Sequence, residues 1–120
     1  MQGSYTNLKA WQFGYTLALE IYQSINTFPS NEKFGLISQM QRSAVSIPCN
    51  IAEGYARISQ KEKIQFYSIS RGSVAELQTQ LQLAKDIGYM DIDTYIKLQE
   101  LSATVYKLLN ALIKTIRASI

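Results

Sequence analysis

The chain has 120 residues, 47% of them apolar and 18% charged, with a net charge of +3. These proportions suit one domain spanning residues 1–120 with a sizeable core, and they exclude a disordered tail or a histone-like polybasic binder. With no histidine, Ser-His-Asp and Cys-His catalysis as usually built and the common His-containing zinc sites are excluded.

Residues 1–7 read as a polar, loosely held start. They lack the charged n-region and apolar run of a secretory signal. Helix one is predicted over about 8–26. Leu8, Trp11, Tyr15, Ala18, Tyr22 and Ile25 alternate spacings of three and four and define its face. Leu17, Ile21 and Phe28 widen that face. Asn7 is the expected N-cap, and Phe28–Pro29 ends the helix because proline restricts the residue ahead of it.

Helix two is predicted over about 32–57, capped by Ser30 or Asn31. Its apolar stripe is Ile37, Met40, Ala44, Ile47, Ile51 and Ile58. Pro48 interrupts it. Inside an ordinary helix a proline deletes one N–H bond and clashes with the carbonyl four residues back, costing ~3 kcal/mol or more. The apolar spacing continues through Pro48, which predicts a kinked continuous helix; the alternative is a break there. Gly54 marks the close of the helix or a near approach of another backbone. The lone Cys49 cannot form an internal disulfide, which fits a reducing cytosol. Its simplest role is that of a small buried apolar residue.

Ser59 followed by Glu62 matches a capping box and opens helix three, over about 60–87. Tyr67, Ser70, Val74, Leu77, Leu81, Ala84 and Gly88 step along one face. Gly72 lies mid-helix, where a tight packing contact would justify it. Gly88 is a left-handed C-cap candidate. Asp91 or Asp93 opens helix four, over about 92–118. Ile92, Tyr95, Leu98, Leu101, Val105, Leu108, Leu112 and Ile116 supply its face, broadened by Leu109 and Ile113. Four helices with short links predict an all-α, antiparallel up-down-up-down four-helix bundle. No run of ~18 or more apolar residues exists, so no membrane span is expected.

A second stripe runs along helix two. At about 100° per residue, Arg42, Ser46, Asn50, Glu53 and Arg57 fall within roughly 80° of one another. Three readings apply. The leading one is structural: the stripe satisfies itself, Ser73 and Glu76 of helix three, and the carbonyl freed by Pro48, within one subunit or across a subunit boundary. The second is a ligand or nucleic-acid site, with Arg42 and Arg57 on phosphate and Asn50 adding a hydrogen bond. The third is catalysis by a Glu53–Glu76 carboxylate pair.

Lys107, Lys114 and Arg117, in a stretch with no Asp or Glu after Leu101, and Lys61 and Lys63, which with Arg57 form another local excess, are candidate nucleic-acid contacts. Tyr55 beside Arg57 and Tyr106 beside Lys107 are the candidates for base stacking. For Tyr15, Tyr22, Tyr67, Tyr95 and Tyr106, packing in a core or interface is the default.

The segment from Gln39 to Gly54, which includes Arg42–Ser43–Ala44 and Pro48–Cys49–Asn50–Ile51–Ala52–Glu53, resembles the signature of bacterial four-helix-bundle proteins encoded in intervening sequences of 23S ribosomal RNA genes. Gly72–Ser73–Val74–Ala75–Glu76–Leu77 is similar to that family's second motif. Phe28–Pro29, Phe34–Gly35–Leu36 and Gly88–Tyr89 also match. A more distant likeness is to the accessory protein of diversity-generating retroelements. The resemblance implies a bundle that assembles as a ring-shaped homopentamer, with no established catalytic activity, catalytic residue, metal or cofactor. Its retroelement branch implies a basic surface that contacts RNA or DNA and a reverse transcriptase. The expected protein is therefore a cytoplasmic, non-enzymatic homo-oligomer. The alternative is a nucleic-acid-binding accessory factor.

Overall fold

A computed structural model describes residues 4–120 of the chain. Its main elements are α1 (Lys9–Ser24), α2 (Leu36–Tyr55), α3 (Gln60–Asp86) and α4 (Ile92–Ala118). Each helix packs against the next, and α4 closes on α1. The direction of each helix follows from paired contacts. Ser43 meets Glu76, Ser46 meets Ser73 and Ile47 meets Ser70, so α2 and α3 are antiparallel. Arg71 meets Asn110 and Gln78 meets Ser102, so α3 and α4 are antiparallel too. The bundle is 46 Å long and about half as wide.

The core is read directly from the helical repeats. Leu17, Ile21, Met40, Ala44, Ile47, Ile51, Val74, Leu77, Leu81, Leu98, Val105 and Leu109 are fully buried. On α1 the widening strip of Leu17, Ile21 and Phe28 is buried as expected, and the first face is divided: Ala18 and Ile25 are buried and Leu8 and Trp11 partly so. Leu17 and Ile21 face the core with Ala10 and Gly14, while Tyr15 and Tyr22 are exposed. On α4, Leu109 and Ile113 are central and Ile92 is exposed. Ile58 does not belong to the α2 stripe. The helix ends at Tyr55, and Ile58 stands almost wholly in solvent in the link to α3.

The helix ends show which caps formed. Ser59 Oγ accepts the Glu62 N–H, as the capping box predicts, and Asp91 accepts the Thr94 N–H. Gly88 is left-handed at φ 88°. Its N–H bonds Lys85, and the Tyr89 N–H bonds Ala84, the paired bonds of a Schellman motif.

Two expected caps are replaced. Asn7 lies in a 3₁₀ turn, Tyr5–Asn7, and Leu8 precedes α1 without a side-chain cap. Of the expected loose start, residues 4–7 are ordered by Ser4 bonding to Thr6, and residues 1–3 lie outside the described residues. Ser30 and Asn31 lie in another 3₁₀ turn, Ser30–Glu32, so α2 begins four residues later than expected. Glu32 supplies its cap by accepting the Leu36 N–H, and also accepts a 2.8 Å bond from the Tyr89 hydroxyl. Both bonds favour the charged carboxylate, so Glu32 titrates below its ordinary range.

Helix α2 runs through Pro48 without a break. Gly14 makes room for it: a Cβ there would lie 3.1 Å from Ile47 Cγ2. Gly54 stands one residue before the close of α2, as one of its two expected roles has it, and what approaches it is side chains and not another backbone. A Cβ there would stand 2.8 Å from the ring of Tyr67, which is fully buried. Gly72 is the opposite case. Nothing lies within 4 Å of where its Cβ would be, so the expected tight contact does not exist inside the bundle. None of these helices is long and apolar enough to cross a membrane.

Candidate functional site

The polar residues of α2 and α3 form a seam between the two helices. Ser46 and Ser73 hydroxyls share a 2.8 Å bond. Asn50 Nδ2 donates to the Ser46 carbonyl at 2.8 Å and to Ser46 Oγ at 2.9 Å. Below it, the buried Ser70 hydroxyl donates to the Ile47 carbonyl at 2.8 Å, one residue before Pro48. Above it, Ser43 donates to Glu76 at 2.7 Å. Side-chain donors thus reach the two main-chain carbonyls just ahead of the proline, those of Ser46 and Ile47.

The stripe is not one cluster. The structure brings together Ser46, Asn50 and Ser73. Glu76 joins through Ser43, a residue outside the expected set. Glu53 instead pairs with Arg57 along the exposed edge of α2. The Arg57 guanidinium also lies 4.7 Å above the Phe66 ring, while its Nε is buried without a hydrogen-bond partner. Arg42 is exposed. Glu53 and Glu76 have different partners, which gives the expected carboxylate pair no shared proton site. Ser43 and Ser70 were visible as small polar residues on otherwise apolar helix faces. Their spacing alone could not say which carbonyl or carboxylate they would meet.

On the other side of α2 lies an apolar groove of about 440 Å³. Trp11, Tyr15, Leu19 and Tyr22 of α1 form one wall, and Val45, Pro48, Cys49 and Ala52 of α2 form the other. Trp11 stacks on Tyr15 at 5.0 Å, and Tyr5 closes one end against Trp11 at 5.3 Å. Cys49 is therefore exposed in this groove and not buried as expected. The aromatic stripe of α1 faces outward because Gly14 and Leu17 already fill the contact with α2 and the core.

The basic candidates gather at one end of the bundle. The α1 start, the α2 end, the α3 start and the α4 end share that half of the molecule. It carries Lys9, Arg57, Lys61, Lys63, Arg71, Lys107, Lys114 and Arg117 against only Glu53 and Glu62. The opposite half carries Lys33, Arg42, Lys85 and Lys97 against Glu20, Glu32, Glu76, Asp86, Asp91, Asp93 and Glu100. The side chains thus leave six positive charges in excess at one end and three negative at the other. Not every cation there is free. Lys63 donates to the carbonyls of Tyr55 and Gly54 at the close of α2, 2.8 and 3.4 Å away. Lys61, Lys107, Lys114 and Arg117 are exposed. Tyr106 is half-buried, and Tyr55 lies under the Lys63 ammonium.

Burial, with the neighbouring Tyr55, pushes the Tyr67 hydroxyl up to about 12, so it remains a neutral phenol beneath this end. Among the described residues, no group of three or more acidic or cysteine side chains is placed to hold a metal ion.

The family described as 23S rRNA-intervening sequence protein matches residues 6–111. No curated protein matches the chain. Among solved structures, a protein of unknown function from the S23 ribosomal protein family of Bacteroides thetaiotaomicron is similar, with a TM-score of 0.81 at 24% identity. The likeness covers 88% of this chain and 95% of that one. At this identity it speaks for the fold.

Proposed function

The chain belongs to the family of 23S rRNA-intervening sequence proteins, and from that premise we propose that it acts as a non-enzymatic, self-assembling helical bundle in the cytoplasm, built as a homopentameric ring. One observation carries this reading. Ser43, Ser46, Ser70, Ser73 and Glu76 hydrogen-bond α2 to α3, Glu53 is paired with Arg57, and an aromatic groove is left facing outward. Exposed apolar surface of this kind marks a place where another surface docks. The test is light scattering at micromolar concentration. The expected mass is about five times the 13.6 kDa of one chain, and a stable monomer overturns the reading.

The charge distribution favours a second reading, a nucleic-acid-binding accessory factor acting with RNA or DNA or with a reverse transcriptase. An excess of six positive charges confined to one end is a far stronger anion-attracting surface than the net +3 implies. Binding by that end would weaken steeply with added salt, because each neutralised phosphate releases a counterion. Gel shifts at low salt test it; no shift with either RNA or DNA removes the reading.

A further inference from the structure

The basic end of the bundle carries an apolar tip. Ile58, in the link between α2 and α3, is 98% exposed, the most exposed large apolar side chain among the described residues. Ile120, just past α4, is 64% exposed. Gln60 at the start of α3 donates to the Ser119 hydroxyl at 3.3 Å, so the close of α4 is held beside that link. Lys61 and Arg117, both exposed, stand on these two helix ends, and exposed Lys114 stands one turn further in. Two acids lie nearby: Glu62 is half-buried, and Glu53 is tied to Arg57. One bare isoleucine on a surface is ordinary; here two crown the tip where the cations gather.

The chemistry of the tip selects its partner. A strand of nucleic acid takes cations together with rings on which bases can stack. The rings near this tip are engaged: Tyr55 lies under the Lys63 ammonium, Phe66 lies under the Arg57 guanidinium, and Tyr106 is half-buried. What the tip offers beside its cations is aliphatic. An anionic bilayer takes that pair, since its headgroups attract Lys and Arg and its acyl boundary takes an apolar side chain reaching past them. We propose that this end docks on an anionic lipid surface, with Lys61, Lys114 and Arg117 on the headgroups and Ile58 entering between them. The contact is peripheral, because no helix here is long and apolar enough to cross a membrane. Charge complementarity also fixes which end docks. The opposite end bears a comparably bare side chain, Phe34 at 90% exposure, but there three negative charges are in excess and the same surface repels it. The inference does not rest on self-assembly, and it competes with the nucleic-acid reading for the same cations.

The test is co-sedimentation of the whole chain at low salt with two kinds of vesicle, phosphatidylcholine alone and phosphatidylcholine mixed equally with phosphatidylglycerol. The expected result is binding to the mixed vesicles only, weakening as salt is added. Lys61→Glu with Arg117→Glu should weaken it by about tenfold or more. Ile58→Ser changes no charge and alters a side chain outside the core, and it should weaken binding severalfold, while Ile58→Trp should strengthen it. Phe34→Ser, a similar loss at the other end, should leave binding as it is. Absence of binding to the mixed vesicles overturns the proposal, and a gel shift with RNA in the same buffer would then assign the cations to nucleic acid. Binding that Ile58→Ser leaves unchanged, or that Phe34→Ser weakens equally, overturns it as well, because charge alone would then suffice.

Discussion

Gly54 is the residue at which a single methyl group matters most. Its missing Cβ is the space into which the Tyr67 ring fits, with Phe66 at 3.0 Å on the same side. Neither neighbour is a flexible chain end, so Gly54→Ala must displace a fully buried ring. The expected cost is about 1–3 kcal/mol, the usual range for overpacking, read as a lower urea midpoint. Glu32 makes a pH prediction. Its carboxylate caps α2 through Leu36 and holds Tyr89, so its pKa lies below the unfolded value. A depressed carboxylate contributes stability that is present above the unfolded pKa and lost as pH falls through the folded one. Tyr89 is shifted the other way, upward, by the same bond. Its contribution is present below the ordinary tyrosine range and lost as pH rises through the raised value. Hydrogen exchange of the Leu36 amide should therefore accelerate on acidification below the ordinary carboxylate range. Glu32→Gln should remove most of that pH dependence. That Gly54 closes α2 was legible from the sequence, but the ring it makes room for was not, since a backbone approach was the other expectation. The cap by Glu32 was not, since Ser30 and Asn31, immediately before it, offered better capping chemistry.

At the level of the helices, α2 shows how an interior proline is tolerated. The apolar spacing on both sides of Pro48 predicted continuity, and the helix is continuous. The carbonyls of Ser46 and Ile47, just ahead of Pro48, accept from Asn50 and Ser70, whereas the carbonyl that the proline frees is that of Ala44, which neither side chain reaches. Ser70→Ala removes a fully buried donor and leaves the Ile47 carbonyl without it. The expected loss is about 1 kcal/mol or somewhat more in chemical denaturation. Asn50→Ala should also destabilise, by less, because Asn50 is only half-buried and its bonds lie within one helix. A melt equal to wild type for both variants would contradict a structural seam. Helix faces were harder to assign than helix existence. On α1, two apolar stripes stand side by side, one of leucine and isoleucine, one of tryptophan and tyrosine. Periodicity reports both with equal strength. Only the packing of Gly14 against Ile47 decides that the aromatic one is turned outward. On α4 the same ambiguity leaves Ile92, expected on the face, exposed, while Leu109 and Ile113, expected to broaden it, lie at its centre.

For the whole molecule, the four-helix fold was legible from spacing, caps and link lengths. The charge arrangement was not, although every charged residue was in view. Lys9, Lys61 and Lys107 are far apart in the chain. They share one end only because successive helices reverse direction. The prediction at this scale is a charge reversal, Lys107→Glu with Lys114→Glu, two exposed residues of α4. It should abolish any gel shift with RNA or DNA. The melting temperature should change little, since exposed charges away from partners contribute within about 0.5 kcal/mol. A shift that survives the reversal would place the contact elsewhere.

That lopsided arrangement along a 46 Å rod has a mechanical consequence. An object positive at one tip and negative at the other feels a torque in any field, well before it touches the source. Approaching a strand of phosphates, each tumbling rod would swing round and arrive nose-first, so that only one tip does the meeting. If several rods are held side by side pointing the same way, they would present that tip as a single crown.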